Sequence, residues 1–232
     1  MSQPSSNSMM ARLAHILKPA RTIPRTPWTA TSRWSLTWGR VAILFIALFI
    51  FGLGDSLLIQ SHIGNAPWSV LAQGLSRHTP LSIGESTFLI SAIVLLLWFP
   101  LKERPGFGTV SNLVIIALAI QIGLFIFPAL HKNLFLQLGY VFVGIALVGL
   151  GSAFYITCGL GPGPRDGLMT AIHKRSGVRI GRVRLGIEVT ALIIGALLGG
   201  RLGVGTALFA LLIGNSIALS LSFVHKITSA ER

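Results

Sequence analysis

Six apolar stretches dominate this chain, each close to the ~20 residues that an α-helix needs to cross a hydrocarbon layer about 30 Å thick. They run from Val41 to Gln60, Ser86 to Leu101, Gly108 to Ala129, Leu138 to Cys158, Val183 to Gly200 and Gly205 to Val224, the second and fifth being short for a full crossing. Backbone polar groups inside lipid must be satisfied within the segment, so the stretches predict an all-α polytopic membrane protein of six transmembrane helices. Composition agrees. With 52% hydrophobic and 11% charged residues and a mean hydropathy of +0.75, too little polar surface remains to coat a water-soluble globule.

The net charge of +13 raises nucleic-acid binding, but the Lys and Arg residues gather beside the apolar runs instead of forming a basic face in water, so no nucleic acid is expected. They orient the chain instead. Residues 1 to 40 are rich in Ser, Thr and Pro, carry Arg12, Lys18, Arg21, Arg25, Arg33 and Arg40 with no acid, and lack a signal-peptide cleavage pattern. They read as a disordered basic cytoplasmic tail. With the N-terminus inside, 16 of the 19 Lys and Arg residues fall on the cytoplasmic side and only Arg77, Lys132 and Arg201 fall outside. Because positive flanks resist translocation, the expected location is a bacterial cytoplasmic membrane with both termini inside.

Sliding the sequence by 97 residues aligns Phe51 through Asn112 with Val148 through Phe209 without a gap, and 16 of the 62 pairs are identical. Gly52-Leu53-Gly54 falls on Gly149-Leu150-Gly151, Gly64 and Pro67 fall on Gly161 and Pro164, and Arg104, Gly106, Gly108 and Thr109 fall on Arg201, Gly203, Gly205 and Thr206. Apolar composition alone does not place Gly, Pro, Arg and Thr in register over such a span. Three crossings per copy make the second copy enter the membrane in the opposite sense, so residues 41–130 and 134–224 read as inverted three-helix repeats, followed by a short cytoplasmic tail over 225–232.

Both copies break at the same place. Ile63-Gly64-Asn65-Ala66-Pro67-Trp68-Ser69 follows the first crossing, and Leu160-Gly161-Pro162-Gly163-Pro164-Arg165-Asp166 follows the fourth. The glycines permit a sharp turn, and a proline in the first turn of a new helix sacrifices no hydrogen bond. Short helices are therefore expected over roughly Pro67 to Ser76 and Pro164 to Arg175. They either re-enter the membrane or lie on its surface with Leu71 and Leu75, or Leu168 and Ile172, towards lipid. Their N-termini favour anions, and Arg165 adds a bidentate cation, while Asp166 fits the first turn as a complement to the helix dipole.

Two further acids lie inside crossings, where a charge must pair, protonate or face water. Asp55 has no sequence-local partner, and its repeat counterpart is Ser152; Glu188 has Arg184 one turn earlier. Asn112, Gln121 and Asn215 suit interhelical hydrogen bonds, and the lone Cys158 suits packing. No phosphate loop, histidine pair or nucleophile elbow is present, so neither an enzyme nor a cofactor or metal is expected.

The stretch Gly161-Pro162-Gly163-Pro164-Arg165-Asp166-Gly167-Leu168 resembles the Gly-x-Gly-Pro-Arg-Asp-Gly-Leu signature of the YczE/YyaS/YitT group of bacterial membrane proteins, most closely its YczE-like members. Ile187-Glu188 and Gly203-Val204-Gly205-Thr206 follow at similar positions, and the resemblance covers residues 41 to 222. That group usually has Pro-Trp-Asp in its first half, where this chain has Pro67-Trp68-Ser69. The resemblance implies fold and membrane location more than an activity. The expected function is a secondary transporter of an anionic or zwitterionic small molecule, with Asp55, Asn65, Pro67, Trp68, Gly161, Gly163, Pro164, Arg165, Asp166 and Glu188 around its site. The alternative is a non-transporting membrane partner that uses the basic tail. The lipid bilayer is the expected surrounding, and a homo-oligomer stays open.

Overall fold

The computed structural model describes residues 23–230, and among these all regular structure is helical. Helix α1 spans Trp38–Ser61, α2 Pro67–His78, α3 Ile83–Leu96 with a further turn α4 at Trp98–Leu101, and α5 Phe107–Ile126. Then α6 spans Leu134–Thr157, α7 Pro164–Ser176, α8 Ile180–Leu197 and α9 Val204–Ala230. Five segments are long and apolar enough to cross a bilayer: α1, α3 with α4, α5, α6 and residues Val204–Ser229 of α9. Helix α8 does not join them by composition, because Arg182, Arg184 and Glu188 fall within its 18 residues. Large apolar side chains point outward along the bundle, including Phe125, Phe135 and Leu197, each more than four-fifths exposed. In water such surface would be an aggregation hazard, whereas lipid solvates it.

Small residues let the long helices meet closely. Helices α1 and α6 cross at Gly54 and Gly144, where a Cβ added to either glycine would stand 2.7 Å from the other's carbonyl oxygen. Without a hydrophobic force between helices in lipid, close backbone approach of this kind supplies the packing. Around it Leu44, Leu48 and Ile120 form a fully buried core with Tyr155 and Leu160.

The ends of the bundle depart from two expectations. Residues 1 to 22 of the expected tail lie outside the described residues, but the stretch that follows is not disordered. Thr26 to Ala30 lies over the C-terminal end of α6, where Ala30 N donates to Cys158 O at 2.9 Å and Thr29 Oγ1 donates to Thr157 O at 2.9 Å. Trp28 adds a bond from Nε1 to Thr157 Oγ1 and stacks on Phe154, and Arg40 Nε donates to Trp28 O. A helix end leaves carbonyls without partners, and this strap satisfies those of Thr157 and Cys158. At the other terminus, the expected tail from residue 225 begins as a continuation of α9 up to Ala230.

The two short helices form as their prolines suggest. Pro67 and Pro164 occupy first-turn positions behind extended residues Ala66 and Gly163. Both preceding turns use a left-handed glycine, Gly64 at φ 125° and Gly161 at φ 114°. Each turn is pinned by the same long-range bond, Gly205 N to Ile63 O and Gly108 N to Leu160 O, both 2.8 Å, with Ile63 and Leu160, and Gly108 and Gly205, at positions 97 residues apart. Helix α2 packs against α3 and α8, and α7 against α3, α4 and α8. Neither lies flat on an outer surface: Ser69, Val70 and Ala72 of α2 are almost fully buried, as are Leu168 and Ala171 of α7.

Candidate functional site

Asp55 lies six residues before the end of α1, ~9 Å along its axis at the helical rise of 1.5 Å per residue. Ser69 in the first turn of α2 donates its hydroxyl to Asp55 Oδ2 at 2.7 Å. The chain has therefore doubled back into the bundle before α2 starts. The same folding-back brings the first turn of α7 to the first turn of α2, with the Arg165 guanidinium carbon 4.7 Å from the centre of the Trp68 ring. A half-buried stacking of this type contributes about 0.5–2 kcal/mol. Between the two turns lies a cavity of about 250 Å³ bordered by side chains of α1, α3, α5, α6, α8 and α9 as well.

Seven of the ten residues expected at the site line this cavity: Asp55, Pro67, Trp68, Gly163, Arg165, Asp166 and Glu188. The other three do not line it and hold the breaks in place. Asn65 is fully buried and donates to Gln73 Oε1 at 2.9 Å, and that oxygen also accepts from Arg201 N at 2.7 Å, tying the first break to the start of the turn before α9. Gly161 presses against Thr109 and Gly106, so its missing side chain makes room for α5. The carbonyl of Pro164 accepts from Trp98 Nε1 at 2.9 Å, which anchors α7 to α4.

The charges are unequally occupied. Glu188 pairs with Arg184 at 2.9 Å, the partner expected from their spacing. Asp166 Oδ2 accepts from the hydroxyl of Tyr155, a residue only 4% exposed. Arg165 forms no salt bridge among the described residues, and Asp55 Oδ1 is buried with no hydrogen-bond partner there. A buried oxygen left unpaired carries a desolvation penalty of about 1–3 kcal/mol, more when charged, so a proton or ligand donor is favoured at Asp55. Ser69, the residue at which this chain departs from the Pro-Trp-Asp that the resemblance implies, donates to the carboxylate of Asp55.

Several lining residues escaped the sequence reading. Tyr155, Ser91 and Ser152 border the cavity, yet each sits in an apolar run without a motif around it. Ser152 alone had a signal, as the repeat counterpart of Asp55. Asn112 was assigned to helix packing and instead borders the cavity, whereas Gln121 does accept an interhelical bond from Gly84 N at 3.3 Å. Asn215 is exposed on α9.

Known proteins match over the same helices. Residues 38–222 match a family of unknown function, DUF6198. An uncharacterized protein of Haemophilus influenzae is 44% identical over 210 residues, covering 90% of this chain and 96% of that one. The uncharacterized membrane protein YczE of Bacillus subtilis is 34% identical over 187 residues, with coverages of 78% and 85%. The uncharacterized protein YyaS of the same organism is 29% identical over 184 residues, with coverages of 78% and 92%. No solved structure matches significantly. The expected resemblance to YczE and YyaS is thus met, and this membrane protein with several apolar helices belongs to the DUF6198 family.

Proposed function

We propose that the protein is a secondary transporter of a small anionic or zwitterionic molecule, without enzymatic chemistry, in which two inverted halves of three crossings enclose the binding site. The observation that carries this reading is the meeting of both interrupted segments at one cavity, with Arg165 lacking a salt bridge and Asp55 holding an unpartnered oxygen. Paired broken helices around a site between repeats are the arrangement used by many secondary transporters. Helix α8 serves as the remaining crossing, its charges tolerated because Glu188 and Arg184 pair and border the cavity. The positive-inside distribution of Lys and Arg supports a bacterial inner-membrane location with both termini on the cytoplasmic side. Arg165 grips the anionic group, and Asp55 is the proton-coupling acid.

The partner reading has weaker support, since residues 26–40 of the supposed contact arm are engaged on the protein's own helices. The test is uptake and efflux of a metabolite panel by purified protein in liposomes, with and without a pH gradient. Movement of a compound that Arg165→Ala strongly reduces, and whose pH dependence Asp55→Asn removes, is expected. No movement of any compound, with unchanged cellular behaviour of both variants, would overturn the reading in favour of the partner role.

A further inference from the structure

Beside the polar cavity runs a second, larger depression of about 700 Å³ between α3 and α8, floored by the short helices. Its lining is almost wholly apolar, with Ile90 and Val94 from α3, Leu168 from α7, and Ile187, Ala191 and Ile194 from α8. One residue, Trp68, borders both spaces. Helix α8 serves both in the same way, turning Arg184 and Glu188 to the cavity and Val183 and Ile187 to the groove. The Arg165 guanidinium rests on the ring of that shared tryptophan. A cation is therefore held at the partition between a small cavity bordered by charged side chains and a larger apolar groove.

We infer that the cavity and the groove are one site for a single-chain amphiphile with an anionic head, the head on Arg165 and the chain passing Trp68 into the groove between α3 and α8. This deepens the transporter reading and rests on its assignment of Arg165. The cavity is too small for a long chain, and the groove offers such a chain an almost wholly apolar wall. Lipid by itself would fill the groove but would leave Arg165 untouched. The competing cation is Arg182, exposed and also bordering the groove. A bilayer phospholipid seated by its phosphate would use that residue instead.

Gly186 supplies a clean obstruction, because it borders the groove and a Cβ added there meets nothing within 4 Å. The experiment uses the full chain in lipid nanodiscs with a long-chain carboxylate bearing a photoreactive group at its tail, scored by the peptides labelled. Wild-type protein should be labelled on α3 and α8. Gly186→Phe should abolish that labelling, Arg165→Ala should lower it about tenfold or more for loss of a charged hydrogen bond, and Arg165→Lys should retain most of it. Arg182→Ala should leave it unchanged, and an alcohol of equal chain length should not compete. Labelling that survives Arg165→Ala, or that disappears with Arg182→Ala instead, overturns the inference and leaves an ordinary bilayer lipid in the groove. Labelling is scored without transport: short carboxylates moved with no groove labelled would sink this inference alone. Arg165-dependent labelling without any flux would sink the transporter reading alone.

Discussion

The two breaks share a backbone and differ in nearly every side chain that faces the cavity. Both use a left-handed glycine, a first-turn proline and the same 2.8 Å bond to a glycine of the other half, Gly205 for the first break and Gly108 for the second. Yet Trp68 stands against Arg165, Ser69 against Asp166, and Asp55 against Ser152 at equivalent positions. Even a conserved pair diverges: Thr109 accepts from Gly106 N at 3.1 Å and donates to Pro162 O at 2.7 Å, while the buried hydroxyl of Thr206 has no partner among the described residues. The two breaks keep what the chain needs to turn inside a bundle and differ in what they present to the cavity. One half contributes the cation, the other the buried acid and the aromatic plate.

That comparison breaks most visibly at the turns themselves. A Cβ at Gly106 would overlap the Leu160 carbonyl, and one at Gly203 the Ile63 carbonyl. Gly106→Ala and Gly203→Ala should each cost about 1–3 kcal/mol or more and deplete folded protein on size exclusion in detergent. Loss in only one variant would show that the two turns are not equivalent. Next in size is the chemistry of the second break, where Arg165→Ala should lower flux of a transported compound about ten- to a hundredfold, the value of a hydrogen bond to a charged group. Asp166→Ala should cost less, because its carboxylate is already satisfied by Tyr155. Equal effects in a liposome assay would remove Arg165 from its special place.

A smaller and sharper contrast lies in the threonines. Thr109→Val strands a buried N–H and a carbonyl and should lower stability by about 1–3 kcal/mol, whereas Thr206→Val removes an unpaired hydroxyl and should be neutral or stabilising by thermal unfolding. The smallest effect expected is at Cys158, a free thiol buried at the end of α6. It should stay unlabelled by a membrane-impermeant maleimide at neutral pH, since a thiol buried in packing is inert. On that silent background Lys132→Cys should label from outside intact cells and Lys102→Cys only after permeabilisation; the reverse pattern would invert the proposed topology.

Much of the helical order was legible in the residues because it is local. Hydropathy over ~20 residues marks a helix, and Gly64-x-x-Pro67 and Gly161-x-x-Pro164 mark where one stops and the next starts. The 97-residue repeat foretold that both breaks would be built alike. The strap from Thr26 to Ala30 was not legible, since its bonds go to Thr157 and Cys158, more than 125 positions away, and its own composition resembles disorder. Nor was the role of Tyr155, whose neighbours in sequence are all packing residues.

Membrane location, the duplicated pattern and the candidate residues at the breaks thus follow from the order of residues, because lipid solvation and backbone turning act on short windows of chain. Which of those residues meet was settled by assembly. Gly54 and Gly144 let α1 and α6 touch, the chain folds back to bring Ser69 to Asp55, and α7 carries Arg165 onto Trp68. These partners are separated by 14 to 97 residues, and only the packing of whole helices determines which polar groups share a cavity and which remain unpaired.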